Sequence, residues 1–212
     1  MAMTSIRYGS FYNEKRAASD LRKYREKGPI PSTRALIEAL KAERAEGATL
    51  LDIGGGIGAI QHELIEAGVA HATSVEASAP YLDAAREESR RRGHNERVTY
   101  LHRDFVEVAD SVFPAEIVTL DRVINVYPDW ERLLRLAGAR AERLFGLVYP
   151  RNTLMVRVVI LTMNVLLRLL KKPERASLRP HNAIERIAHE SGLSPRLSRD
   201  VGAWQIAIFR RS

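Results

Sequence analysis

The sequence predicts an α/β fold: a doubly wound, mostly parallel seven-stranded sheet ending in an antiparallel hairpin. Three observations predict it. Five short apolar runs alternate with helix-period segments between residues 49 and 149. The first run gives way to a glycine-rich turn, Gly54-Gly55-Gly56-Ile57-Gly58, at the start of a helix. The last two runs, Arg196–Val201 and Trp204–Arg210, are joined only by Gly202-Ala203, which makes them antiparallel neighbours.

The elements follow in order. Tyr12 to Arg25 reads as a helix and stops before Gly28-Pro29-Ile30-Pro31. Ser32 or Thr33 is placed to cap a second helix that runs to about Glu46. Strands are expected at Thr49–Ile53, Ala72–Glu76, Val98–His102, Ile117–Leu120 and Leu144–Tyr149. Helices are expected between them at Ile60–Ala67, Ala79–Arg92 and Asp129–Arg143, the first two closed by Gly68 and Gly93. A long apolar helix, Thr153–Lys172, and a shorter one, Asn182–Ser191, precede the hairpin.

Composition bounds the class. A chain of 212 residues with 45% hydrophobic and 28% charged residues buries one sizeable core and is not disordered. There is no cysteine, which excludes disulfides and thiolate metal sites. The histidines are scattered without metal-ligand spacing, so no metal is expected. Nothing at Met1–Tyr8 looks like a signal or transit peptide, so a cytoplasmic protein is expected. The net charge is +7, but the arginines are spread out. The densest run, Arg90-Arg91-Arg92, suits the negative end of a helix dipole. A solvated basic surface is therefore preferred to a nucleic-acid footprint.

In parallel sheets, ligands sit at the carboxyl ends of the strands. Acids mark four such ends here. Asp52-Ile53 precedes the glycines, and Glu76-Ala77 ends the second strand, 24 residues after Asp52. Asp104-Phe105 follows the third strand, and Asp121-Arg122 ends the fourth. A carboxylate at Glu76 offers a bidentate acceptor to a ribose diol. Gly54-x-Gly56-x-x-Ala59 also fits the fingerprint of nicotinamide and flavin dinucleotide domains, so that reading stays open.

Taken together, Asp52 with Gly54, Gly56 and Gly58, then Glu76, then Asp104-Phe105, resemble the motifs of the class I S-adenosylmethionine-dependent methyltransferases, over about residues 48 to 150. That resemblance implies a Rossmann-like sheet and S-adenosylmethionine as cofactor. Its ammonium and sulfonium suit an acidic lining, whereas a pyrophosphate gains nothing from Asp52. It implies a cofactor site of Asp52, Ile53, Gly54, Gly55, Gly56, Gly58, Glu76, Ala77, Asp104, Phe105, Asp121 and Arg122. The carboxylate of Asp104 would take the adenine amino group and the ring of Phe105 would pack on the base.

Within that class, Asp121-Arg-Val-Ile-Asn-Val-Tyr-Pro-Asp129, Leu147-Val-Tyr-Pro-Arg151 and Pro180-His181 resemble the O-methyltransferases of the magnesium-protoporphyrin and ubiquinone-biosynthesis type. A small-molecule acceptor follows as an expectation, with methyl transfer to an oxygen of an apolar or acidic metabolite. A nucleic-acid methyltransferase, or a cofactor-binding protein without transfer activity, are the alternatives. Tyr127, Arg151 and His181 are candidates for the substrate side, with Tyr127 and His181 the candidate catalytic groups.

The chain then divides into an N-terminal helical cap (1–47), a cofactor-binding core (48–150), a lid-helix insertion (151–181) and a closing helix and hairpin (182–212). Residues 1 to about 30 and about 151 to 181 are left to exclude water from the methyl group, with Tyr24 expected near the cofactor and His181 near the acceptor. In the helix Thr153–Lys172, a narrow polar stripe of Thr153, Arg157, Asn164, Arg168 and Lys171 faces an otherwise apolar surface. Burial as a core or lid helix is favoured. A dimer contact and peripheral membrane contact through 153–172 remain open, as does the choice of monomer or homodimer.

Overall fold

The computed structural model describes residues 12–169 and 177–212. Lys171, Lys172 and the first eleven residues of the expected cap lie outside the described residues. The helices are α1 (Glu14–Lys27), α2 (Pro31–Ala42), α3 (Ala59–Glu66), α4 (Ala79–Arg92), α5 (Phe105–Val108), α6 (Trp130–Arg140), α7 (Leu154–Leu169) and α8 (His181–Glu190). The strands are β1 (Thr49–Ile53), β2 (His71–Glu76), β3 (Val98–His102), β4 (Ala115–Asp121), β5 (Ala141–Pro150), β6 (Leu193–Val201) and β7 (Trp204–Arg211).

All seven strands form one sheet in the order β3-β2-β1-β4-β5-β7-β6. Strands β1 to β5 pair in parallel, and β7 runs against both β5 and β6. The winding reverses between β1 and β4, which opens a crevice at their carboxyl ends.

Strand residues alternate between two cores. Leu51 and Ile53 of β1 face the side covered by α6 and α8, where Leu133, Leu134, Ile184 and Ile187 are buried. Leu50 faces the other side, against Leu36 and Leu40 of α2 and Ile60 and Leu64 of α3. Both faces being covered, the strands read as continuous apolar runs. Strand β6 is the edge and buries only Leu193; a register shift between Pro195 and Leu197, with exposed arginines, discourages further pairing there.

Three expectations need correction. Ser32 and Thr33 do not cap α2; the helix begins one residue earlier at Pro31, after an Ile30 cap without a side-chain bond. Proline at the first helical position needs no amide partner, so it starts the helix ahead of the two hydroxyls. Strand β5 takes Ala141–Arg143 from the end of the expected helix, because pairing with β4 begins at Ala141. The third concerns α1, which is not a lid across the carboxyl edge. Asn13 caps it, Gly28 ends it, and it lies along the outer side of α4, with Ala17, Leu21 and Tyr24 buried against Tyr81 and Ala84.

Candidate functional site

Four strand ends and their loops meet around the switch point. The first loop leaves β1 through Gly54, whose φ of 67° lies in the left-handed region. A Cβ there would come within 2.6 Å of Val123 Cγ2, so the β1 and β4 loops approach each other through the missing side chain. Gly58, at φ 82°, is the N-cap of α3 and contributes no side-chain cap. The first amides of α3 thus open on the crevice as donors.

The second loop is tied to the first by Glu76. One carboxylate oxygen accepts from Gly56 N at 3.0 Å and the other from Ser78 N at 2.8 Å. Burial raises the Glu76 pKa, against the hydrogen bonds from the Ser78, Gly56 and Ala77 amides. Ala77 also offers its carbonyl to His102 Nε2 at 3.1 Å. Ser78 Oγ donates to the Tyr12 carbonyl at 2.9 Å, and the Tyr12 ring meets Tyr81 edge-on at 5.5 Å.

Among the described residues of the N-terminal segment, Tyr12, not Tyr24, is therefore the aromatic residue that reaches this site. Helix α1 starts there and runs alongside α4 toward the opposite edge. Tyr24 OH donates to Glu63 at 2.8 Å and its ring lies under Arg92 at the far end of α4. The periodicity of α1 carries no information on which end points at the loop.

Asp52 acts from below. It is 1% exposed, and its Oδ1 accepts from Thr119 Oγ1 at 2.8 Å. Its Oδ2 and the Ser74 hydroxyl have no hydrogen-bond partner among the described residues. A Cβ built on Gly55 would lie 2.8 Å from that Oδ2 and 2.9 Å from Ser74 Oγ, which places both atoms directly beneath the loop. Ile53, at 2% exposed, is part of the core. Burial pushes the Asp52 carboxyl up to about 7, opposed by the Thr119 hydroxyl and reinforced by Asp121 and Glu76.

A measurable pH dependence follows. The raised value means that the folded state binds more protons than the unfolded chain between about pH 4 and 7. The Asp52 contribution to stability thus falls as pH rises through that window and is level above it. His62 acts with the opposite sign, because burial, then His94 and Arg92, hold it down to about 4. Comparison with Asp52→Asn isolates the aspartate. The variant's stability relative to the parent, from urea unfolding, should grow between pH 4 and 7 and then level off. A difference constant across that range would mean that Asp52 is not shifted.

The third and fourth strand ends are more occupied than expected. Asp104 caps α5 through Val106 N at 3.0 Å, and Tyr127 OH donates to its carboxylate, 3.0 Å from each oxygen. The structure thus joins an expected adenine acid to an expected substrate tyrosine. Phe105 is 3% exposed and belongs to the core, so its ring does not lie open as a platform for a base. Asp121 accepts from Thr33 Oγ1 at 2.5 Å and from Arg122 Nε at 3.1 Å. Arg122 has φ 61° and stacks over Trp204 at 5.8 Å, a left-handed conformation held by its neighbours at the end of β4.

Arg151 is committed to the terminal hairpin, pairing with Asp200 at 2.7 Å and donating to the Gly202 carbonyl at 3.2 Å. It is not the free anion clamp that its position after β5 suggested. His181 sits at the start of α8, with Nδ1 2.6 Å from Tyr149 OH and Nε2 3.0 Å from Glu185. Arg179 holds this segment to the β4–α6 loop through the carbonyls of Ile124 and Tyr127, both at 3.0 Å. Ser78 and Arg179 carry no expectation from sequence, Thr33 was expected only as a helix cap, and Tyr149 only as part of the Leu147–Arg151 motif. Only Ser78, ahead of Pro80 at a helix start, carries a local signal; the others meet the site across long sequence separations.

Residues 51–138 match the protein family described as a methyltransferase domain. No curated protein matches the chain in sequence. Among solved structures, the magnesium protoporphyrin IX methyltransferase of Synechocystis PCC 6803 with bound SAH is similar at TM-score 0.76, with 17% identity and all of both chains covered. An O-methyltransferase family protein from Burkholderia thailandensis has TM-score 0.73 and 16% identity, over 92% of this chain and 58% of that one. The mitomycin 7-O-methyltransferase has TM-score 0.65 and 23% identity, over 96% of this chain and 60% of that one.

Proposed function

We propose that this chain, a class I methyltransferase by its fold and by its family match over residues 51–138, transfers the methyl group of S-adenosylmethionine to an oxygen of a small apolar or acidic molecule. The observation that carries the reading is the Glu76 carboxylate, fixed between Gly56 N and Ser78 N at the switch point. Those two amides satisfy one direction of each oxygen and leave the others for a ribose diol. The glycine loop admits a ligand close to the backbone, and the uncapped start of α3 supplies donors for the carboxylate end of the cofactor.

The cofactor supplies an activated methyl group and a good leaving group, so the chain has mainly to bind, orient and exclude water. Asp52 Oδ2 and Ser74 Oγ lie directly beneath the loop, where a Cβ on Gly55 would meet them. Asp121, held by Thr33 and Arg122, sets the shape of the crevice at β4. Tyr127 on Asp104 closes the space beside it, and a cofactor base that takes Asp104 would displace that phenol. His181, linked to Tyr149, stands at the start of α8 as the group to receive a proton from a hydroxyl acceptor; a carboxylate acceptor needs none.

A small acceptor is supported by the fate of the positive charge. Arg25, Arg92, Arg140, Arg143, Arg151 and Arg196 all pair with carboxylates of the same chain. Charge paired in this way is not free to follow a phosphate backbone.

The test is direct. S-adenosylhomocysteine should bind with a Kd of about 1–100 µM by calorimetry and raise Tm by mass action, while nicotinamide dinucleotides should not bind. Labelled methyl transfer should then go to a panel of phenols and apolar carboxylic acids and not to RNA. Binding of a nicotinamide dinucleotide alone would overturn the cofactor, and transfer to RNA would overturn the acceptor class.

A further inference from the structure

Helix α7 does not pack into the fold as a core helix or a closed lid. Of its sixteen residues only Val156 is buried. Val156, Ile160, Asn164 and Leu167 are its least exposed positions, at helical spacing, and face the body of the protein. The opposite face carries Met155, Val158, Val159, Leu166 and Leu169, exposed by between 54% and 76%. Arg157 and Arg168 lie on one flank, between the body-facing and outward rows. No Asp or Glu occurs from Arg151 to Leu169.

We propose that the outward face of α7 docks this protein on an anionic lipid bilayer. Thr162 also lies on this face, its hydroxyl turned back onto the Val158 carbonyl at 2.9 Å, and an exposed, otherwise apolar face of this kind marks an interaction site. Its charge selects the occupant. Two arginines at the rim, with no acid on the helix, match a negatively charged headgroup layer and lie where guanidinium groups snorkel to it. A second copy docked through the same face would bring its own two arginines to that rim and no carboxylate to pair with them. The described part of the helix does not span a bilayer. Its sixteen residues reach about 24 Å, short of the ~30 Å hydrocarbon core, and no described helix is long and apolar enough to cross. It lies in the interface, apolar face down. The surface is independent of which acceptor the enzyme methylates.

The experiment is co-sedimentation of the full chain with phosphatidylcholine vesicles, with and without phosphatidylglycerol. Vesicles containing phosphatidylglycerol should retain the protein, and neutral vesicles should retain much less. The double variant Val158→Asp/Leu166→Asp should lose binding by at least ~10-fold, because charged side chains replace apolar ones at the buried face. Arg157→Gln/Arg168→Gln should lose about tenfold on anionic vesicles, and added salt should weaken the parent similarly. Circular dichroism and unaltered S-adenosylhomocysteine binding confirm that both variants are folded, as expected for exposed positions outside both cores. Absence of parent binding to anionic vesicles, or equal binding by the parent and the aspartate variant, overturns the proposal. So does sedimentation equilibrium that shows a dimer dissolved by Val158→Asp/Leu166→Asp without vesicle binding, since the occupant is then a second copy.

Discussion

Glu76→Ala is expected to weaken binding of S-adenosylhomocysteine by about 3 kcal/mol, roughly two orders of magnitude in Kd. The carboxylate does two things at once. In the proposed site it would offer a charged acceptor to the ribose hydroxyls, and it holds the loop after β1 to the loop after β2 through Gly56 N and Ser78 N, at 3.0 and 2.8 Å. Alanine removes both and leaves two amides without their acceptor. Glu76→Gln separates the contributions, since its amide oxygen keeps one loop bond while the charge is lost. It should fall between parent and alanine. Calorimetry on the folded variants checks this; parent-like affinity in Glu76→Ala would place the ribose elsewhere.

The largest effect on stability is expected at Glu88, far from the crevice. Its side chain is fully buried, and its two oxygens take hydrogen bonds from three guanidinium groups. Arg25 of α1 donates at 2.8 Å, Arg91 at 2.5 and 2.9 Å, and Arg92 at 2.7 Å. Burial alone would raise the carboxyl, but the bonds from Arg91, Arg92 and Arg25 outweigh it and hold it well below the usual range. Glu88→Ala leaves Arg92 largely buried beside Arg91 without their shared acid. It should cost about 3–5 kcal/mol in urea unfolding, a large part of a typical stability. The acid limb has a definite sign. A depressed carboxyl stabilises the fold above its unfolded value and ceases to do so as pH falls toward the folded one. The parent should therefore lose stability steeply on acidification, and Glu88→Gln less steeply. A cost below about 1 kcal/mol for Glu88→Ala would show that α1 is held by its apolar contacts alone.

How much of this was legible depends on distance along the chain. The bounds of α4 and β3 were read to the residue, because Pro80, Gly93 and the short apolar run at Val98–His102 are local signals. The glycine loop, Glu76 and Asp104 were legible for the same reason, since a strand end and its loop lie within ten residues of each other. The Tyr127 phenol that covers Asp104 from 23 residues away was not legible. Arg151 shows the same limit. Its place after β5 is a matter of order along the chain, whereas its partner Asp200 is brought to it by the pairing of β6, β7 and β5. Tyr24 was set beside the cofactor although helix periodicity fixes only a face, and only packing on α4 decides which end of α1 meets the loop.

Helix α7 marks the boundary most clearly. Its polar stripe and its apolar breadth follow from the order of side chains at 100° per residue, which sequence alone determines. Whether that breadth lies against the protein's own core depends on the room left after the other elements have closed over the sheet. With α6 and α8 on one face and α2, α3 and α4 on the other, both faces of the central strands are already covered. By itself, then, the sequence determined the strands, the winding and the acids at their ends, because period and local turn chemistry act over a few residues. The tertiary structure alone decided which of those acids remain open to a ligand and which apolar face remains open to a partner, because both depend on which distant side chains arrive first at a shared space.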